Sequence, residues 1–127
     1  MFNKELILAI LQQIDESLVI VLTRFAVIKS VNDFLESDNG LEKLDSICMK
    51  LIAVGESFKN IDKHTDNQLL LNYPNIDWKG VKGIRDIISH HYFDVDAEEI
   101  YEICNTQIQP LQLTLQKMII DVRESHS

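Results

Sequence analysis

LEKLDSICMKLIAVGESFKNIDK, residues 41–63, is the stretch that decides the fold. Leu41, Leu44, Cys48, Leu51, Gly55 and Phe58 follow one another at alternating steps of three and four. That spacing is the seam of a helix lying against a near-parallel neighbour. The stretch predicts a helix from about Leu41 to Lys63. Gly55 falls on the seam, where a missing side chain lets another helix approach; in a bare helix it is a weak point of about 1 kcal/mol relative to Ala.

Working outward, the preceding Ser37-Asp38-Asn39-Gly40 consists of turn residues and predicts a loop. Val31-Asn32-Asp33-Phe34-Leu35 predicts a short turn of helix. Further back, residues from Lys4 to about Ile28 contain neither Gly nor Pro, and Asn3 is placed as an N-cap. Apolar residues recur there on more than one face, including Leu6, Ile10, Ile14, Leu18, Val21 and Phe25. A helix apolar around its girth is covered on several sides, which predicts a partner chain over part of it. The runs Leu6–Leu11 and Leu18–Leu22 are separated by Gln12, Gln13, Asp15 and Glu16, so neither is long enough to span a bilayer. No cleavable leader is expected, and the expected location is cytoplasmic.

Beyond the seam, Asp66–Leu71 predicts a short helix ended before Tyr73-Pro74. Asp77 predicts the cap of a helix from Trp78 to about His91, with Gly80 and Gly83 in its first turns. Asp96 caps a last helical region from Ala97 to about Val122, which Pro110 kinks or splits in two. No repeat or second domain emerges. The 127 residues, 46% hydrophobic with few Gly and Pro, predict one all-α domain, a compact up-and-down bundle of four or five helices. Cys48 and Cys104 form no metal-binding spacing and are expected as reduced, semi-buried thiols.

The formal net charge of −8 argues against broad nucleic-acid binding. Its distribution is uneven. Residues 1–76 carry 7 Lys/Arg against 11 Asp/Glu, and residues 93–127 carry 2 against 7. Residues 77–92 carry 3 (Lys79, Lys82, Arg85) against 2 (Asp77, Asp86), the one block of net positive charge.

That block contains Arg85-Asp86-Ile87-Ile88-Ser89-His90-His91-Tyr92. Asp86 and His90 are four apart and share a helix face, so the carboxylate is placed to hold the imidazole. Arg85 and His90 lie roughly 140° apart around a helix, so they meet one substrate only at a cleft. Arg, His and Tyr suit cleavage of RNA by its own 2′-hydroxyl: His moves the proton, Arg braces the phosphate, and an aromatic ring stacks on a base. The residues alone leave a second reading open, with Arg85 and Asp86 as surface charges, His90 and His91 at a helix end, and Tyr92-Phe93 as a core anchor. Gly40, Gly55, Gly80 and Gly83 do not compose a phosphate-cradling loop.

The segment resembles the signature of the HEPN superfamily, Arg-x4-6-His, in its HepT branch, Arg-x4-His-x-Tyr. Ile47–Ser57, with its Gly55-Glu56-Ser57 ending, is similar to the second-helix pattern of that branch. Ile76-Asp77-Trp78 resembles its lead-in, and Tyr92-Phe93-Asp94-Val95-Asp96 resembles its exit. The likeness spans about Leu6 to Met118. It implies a helical homodimer acting as a metal-independent ribonuclease on RNA, with tRNA a candidate substrate, at the dimer cleft, with no cofactor. It implies Arg85 as the phosphate-bracing residue, His90 as the acid/base, Asp86 as a polar helper, and Tyr92 as acceptor of AMP from an MntA-like nucleotidyltransferase antitoxin that silences the toxin. Lys79, Lys82 and His91 are candidate RNA contacts. The contrasting reading is a non-catalytic helical module that binds nucleotide, RNA or a partner protein. In a third, the chain is chiefly the substrate of its partner.

Overall fold

Asn3 and Ser37 start the two longest helices by the same chemistry. The Asn3 side chain accepts a hydrogen bond from the Leu6 N–H at 3.1 Å, and the Ser37 hydroxyl accepts one from the Gly40 N–H at 2.9 Å. Each satisfies a backbone donor that the first helical turn leaves open. The structure, a computed structural model, describes residues 2–90 and 96–125, and of His90 the backbone alone. Among the described residues it contains seven α-helices: α1 Lys4–Phe25, α2 Val31–Leu35, α3 Asp38–His64, α4 Trp78–Lys82, α5 Ile84–His90, α6 Ala97–Thr106 and α7 Ile108–Glu124, with a 3-10 turn at Leu70–Asn72. The all-α expectation holds. Four helices of ten residues or more make the bundle, and α2, α4 and α5 are short additions to it.

The core is hydrocarbon. α1 packs against both α3 and α7. Ile7, Leu11, Leu18 and Val21 of α1, Ile47, Phe58 and Ile61 of α3, and Leu115 and Met118 of α7 are sealed from solvent. The two-sided apolar character of α1 is therefore largely used within the chain. Taken whole rather than as two runs, α1 is long and apolar enough to cross a membrane by length and composition. Six of its side chains instead line the core.

The expected loop at Ser37–Gly40 is the start of α3. Ser37 caps it, and Gly40 is buried in its first turn. A Cβ at Gly40 would fall 2.1 Å from the Asp33 carbonyl oxygen and 3.0 Å from that of Phe34. The glycine marks a helix packed directly on the backbone of α2, not a turn. At the other end, the helix expected over Asp66–Leu71 is replaced by a left-handed pair, Asp66 (φ 53°) and Asn67 (φ 59°), and then the 3-10 turn. Asp and Asn tolerate this region best among residues with side chains. The Asn67 N–H closes back on the Asp62 carbonyl at 2.9 Å.

The C-terminal region divides as Pro110 suggested. The break comes at Gln107, leaving Pro110 in the first turn of α7, where a missing N–H costs nothing. Cys48 and Cys104 are free and buried. Burial first, with the charge of Asp45 second, pushes the Cys48 thiol up to about 11. Burial first, then the nearby Cys48, pushes Cys104 up to about 12.

Candidate functional site

The helix expected from Trp78 to His91 is two helices. α4 stops at Lys82, Gly83 leaves helical geometry (φ −90°, ψ 2°), and α5 resumes at Ile84. The Gly83 carbonyl accepts from the Asp86 N–H at 3.0 Å, so the backbone reconnects across the joint. The joint swings Ile84 inward and Arg85 outward.

Several polar contacts fix this pair of helices. The Asp77 carboxylate caps α4 by accepting from the Gly80 N–H at 3.1 Å. The Trp78 indole N–H donates to the Tyr73 carbonyl at 2.8 Å, and its ring packs on Phe58 of α3 with centroids 4.9 Å apart. The Tyr73 hydroxyl donates to Asp121 of α7 at 2.6 Å. Burial, and then the neighbouring Asp121 carboxylate, raise the Tyr73 phenol well above its ordinary range. Asp121 is held below the usual carboxylate range by Lys117 first and Tyr73 second. Asn75 donates to Thr114 of α7 at 2.9 Å.

Gly55 is where α3 admits this pair. A Cβ there would lie 2.8 Å from the Val81 carbonyl oxygen and 2.9 Å from Cγ2 of Ile84. The close approach anticipated at the seam is thus made by the segment that carries the motif. Buried Ile84 and Ile88 of α5 complete the apolar contact.

Arg85 stands in the first turn of α5 with its side chain 58% exposed, and Nη1 donates to Glu56 Oε1 at 2.8 Å. Glu56 also pairs with Lys59 at 3.2 Å through Oε2. Its carboxyl is held below the usual range by the hydrogen bond from Arg85, and next by that from Lys59. Asp86 is exposed beside Arg85. α5 carries Arg85, Asp86 and His90 on one short rod, with the four-residue step from Asp86 to His90 intact. Lys79 is exposed on α4. Lys82, a candidate RNA contact, is tied to Asp62 of α3 at 2.5 Å in a half-buried ion pair. It serves there as a further pin between α3 and α4. His91 and Tyr92 lie outside the described residues.

An apolar groove of about 490 Å³ runs between α4–α5 and α6–α7, walled by Val81, Ile84, Ile87, Ile103 and Leu111. Arg85 and Asp86 do not line it. Beside Glu56 a shallow polar depression is lined by Ser57, Lys59, Asn60 and Lys63. Among the described residues, no cluster of three or more His, Cys, Asp or Glu side chains is arranged to hold a metal ion. The partnership of Glu56 with Arg85 was not foreseen. Its signals were the position of Glu56, directly after the close-approach glycine, and its place in the Gly55-Glu56-Ser57 ending of the second-helix pattern.

Compared with known proteins, the chain matches the family pattern described as "Ribonuclease HepT-like" over residues 7–118. The chain belongs to this HepT-like family. Among its relatives is "Putative RNase MJ0127" of Methanocaldococcus jannaschii, 29% identical over 61% of this chain and 60% of that protein. A second from the same organism, "Putative RNase MJ0125", is 32% identical over 58% of this chain and 60% of its own length. A third, "Putative RNase MJ1380", is 23% identical over 69% of this chain and 85% of its own. The chain thus spans about three fifths of the length of the first two relatives. No solved structure matches it. The matched span of this HepT-like chain contains α3, the Gly55 contact and the whole of α4–α5.

Proposed function

We propose that this HepT-like chain is the toxin of a toxin–antitoxin pair, an endoribonuclease that cuts RNA without a metal ion. One observation carries the reading. Arg85 stands out from a buried helix contact with its guanidinium open to solvent, tethered at Nη1 alone among the described residues. A guanidinium has five N–H donors in a planar fork suited to phosphate, so Arg85 keeps donors for a second, anionic partner. The family name and the names of the M. jannaschii relatives support RNA as that partner.

In this mechanism the 2′-hydroxyl of the RNA attacks the adjacent phosphorus. Its proton is taken by a base, and the departing 5′-oxygen receives one. The products are a 2′,3′-cyclic phosphate and a 5′-hydroxyl. Arg85 neutralises charge growing on the phosphoryl oxygens, and His90 moves the protons. Asp86 stands one helical turn before His90 on α5 as its polar helper. A homodimer places two such motifs at one cleft. A nucleotidyltransferase antitoxin of the MntA kind adds AMP to Tyr92, and the added phosphate repels RNA from the site. The protein acts in the cytoplasm.

The test is cleavage of a tRNA pool in EDTA by wild type and by His90→Ala. Cutting by wild type alone, with 2′,3′-cyclic phosphate ends, is the expected result. No cutting by well-folded wild type leaves the second reading, a non-catalytic binding module, which the net charge of −8 favours.

A further inference from the structure

Glu56 is the residue the mechanism has not used. It follows Gly55 on α3, at the point where the missing side chain brings the backbone of Val81 and the side chain of Ile84 against the helix. Ile84 immediately precedes Arg85. Glu56 and Arg85 therefore face each other beside a close contact between α3 and the motif segment, one that leaves no room for a Cβ at Gly55. Each carboxylate oxygen is engaged by a different cation, Oε1 by Arg85 at 2.8 Å and Oε2 by Lys59 at 3.2 Å. The carboxyl is held below its ordinary range, by the hydrogen bond from Arg85 first and by that from Lys59 next.

From this geometry we infer that Glu56 is a positioning residue for Arg85: it holds one arm of the guanidinium so that the remaining N–H donors present a fixed edge to the RNA phosphate. A long, exposed arginine otherwise samples many rotamers, and fixing it in advance removes that ordering from the chemical step. A single contact at Nη1 restrains the fork without occupying it. The inference rests on the ribonuclease reading.

The test compares wild type, Glu56→Gln, Arg85→Ala and the double variant for RNA cleavage in EDTA. Alongside it, NMR of the 15N-labelled arginine side chains reads how freely the Arg85 guanidinium turns, with no RNA present. Glu56 is partly exposed, so Glu56→Gln should fold as wild type. The expected result is a kcat for Glu56→Gln lower by roughly tenfold to a hundredfold, with KM little changed. The double variant should be no slower than Arg85→Ala, and rotation of the guanidinium should be slow in wild type and fast in Glu56→Gln. Cleavage by Glu56→Gln at or above the wild-type rate overturns the inference, since Glu56 would then compete with phosphate. So does a double variant slowed by the product of the two single effects. Absence of cleavage by folded wild type overturns the ribonuclease reading itself; the NMR then still decides whether Glu56 holds Arg85.

Discussion

The α1–α3–α7 bundle and the α4–α5 segment are held by different forces. In the bundle, Ile7, Leu11, Leu18, Phe58 and Leu115 are sealed in hydrocarbon. In α4–α5, Ile84 and Ile88 are the buried apolar side chains and the Trp78 ring packs on Phe58, while polar contacts supply much of the rest: the Asp77 cap, the Trp78 indole on the Tyr73 carbonyl, Lys82 on Asp62 and Arg85 on Glu56. Hydrocarbon burial is non-directional and scales with area, so it fixes stability but aims nothing. Hydrogen bonds and ion pairs contribute less net stability each, and they set direction. The bundle keeps the chain folded, and the polar pins, together with the close contact at Gly55, aim the motif.

A substitution in the bundle should therefore change stability and leave the site alone. Leu18→Ala removes a fully buried side chain and should cost about 2–5 kcal/mol, measured by urea unfolding. RNA cleavage per folded molecule should stay at the wild-type rate. A fall in that rate beyond the loss of folded protein breaks the division between the two regions.

Gly55→Ala tests the seam where the regions meet. Its new methyl group would press on the Val81 carbonyl, which is backbone and cannot rotate away, and on Ile84. The expected cost is about 1–3 kcal/mol, less than that of Leu18→Ala. The effect on cleavage should be the larger of the two, because α5 must shift and take Arg85 with it. Equal cleavage by Gly55→Ala and wild type would show that the aim of Arg85 does not depend on this contact.

What the sequence revealed divides along the same line. The bundle was legible because its forces are periodic: the steps from Leu41 to Phe58 announce α3, and Asn3, Asp77 and Asp96 announce their helices by a local side chain–backbone bond. Gly55 was legible as a close approach because it broke an otherwise apolar seam. Gly40 was not, because Ser-Asp-Asn-Gly has the composition of a turn, and only the distant Asp33 carbonyl explains it. The split at Gly83 was hidden for a related reason. Residues 78–91 permit one helix, and the interruption depends on Ile84 fitting against α3. The partners of Lys82 and Arg85, Asp62 and Glu56, lie 20 and 29 residues away in sequence. No local pattern connects them.

The smallest expected effect concerns the hydrogen bond between Tyr73 and Asp121. Tyr73→Phe deletes the hydroxyl bound to Asp121 while keeping the ring in the core, so at neutral pH it should lower Tm by at most a few degrees. Its pH dependence sharpens the comparison, since a hydrocarbon contact has none. The Tyr73 phenol is raised above its ordinary value of 10. Its stabilisation is complete below pH 10 and declines above it, because the unfolded chain ionises there while the folded one resists. Asp121 is lowered from its ordinary value of 3.8. Its contribution is complete above that pH and declines as the pH falls through the lowered value, though Lys117 accounts for more of it than Tyr73 does. Wild type and Tyr73→Phe should therefore differ most between those limits. Their Tm values should converge as the pH rises past 10, and draw closer without meeting in acid. A constant gap across the whole range would mean that the hydroxyl acts by packing, and that this pin belongs with the bundle rather than with the site.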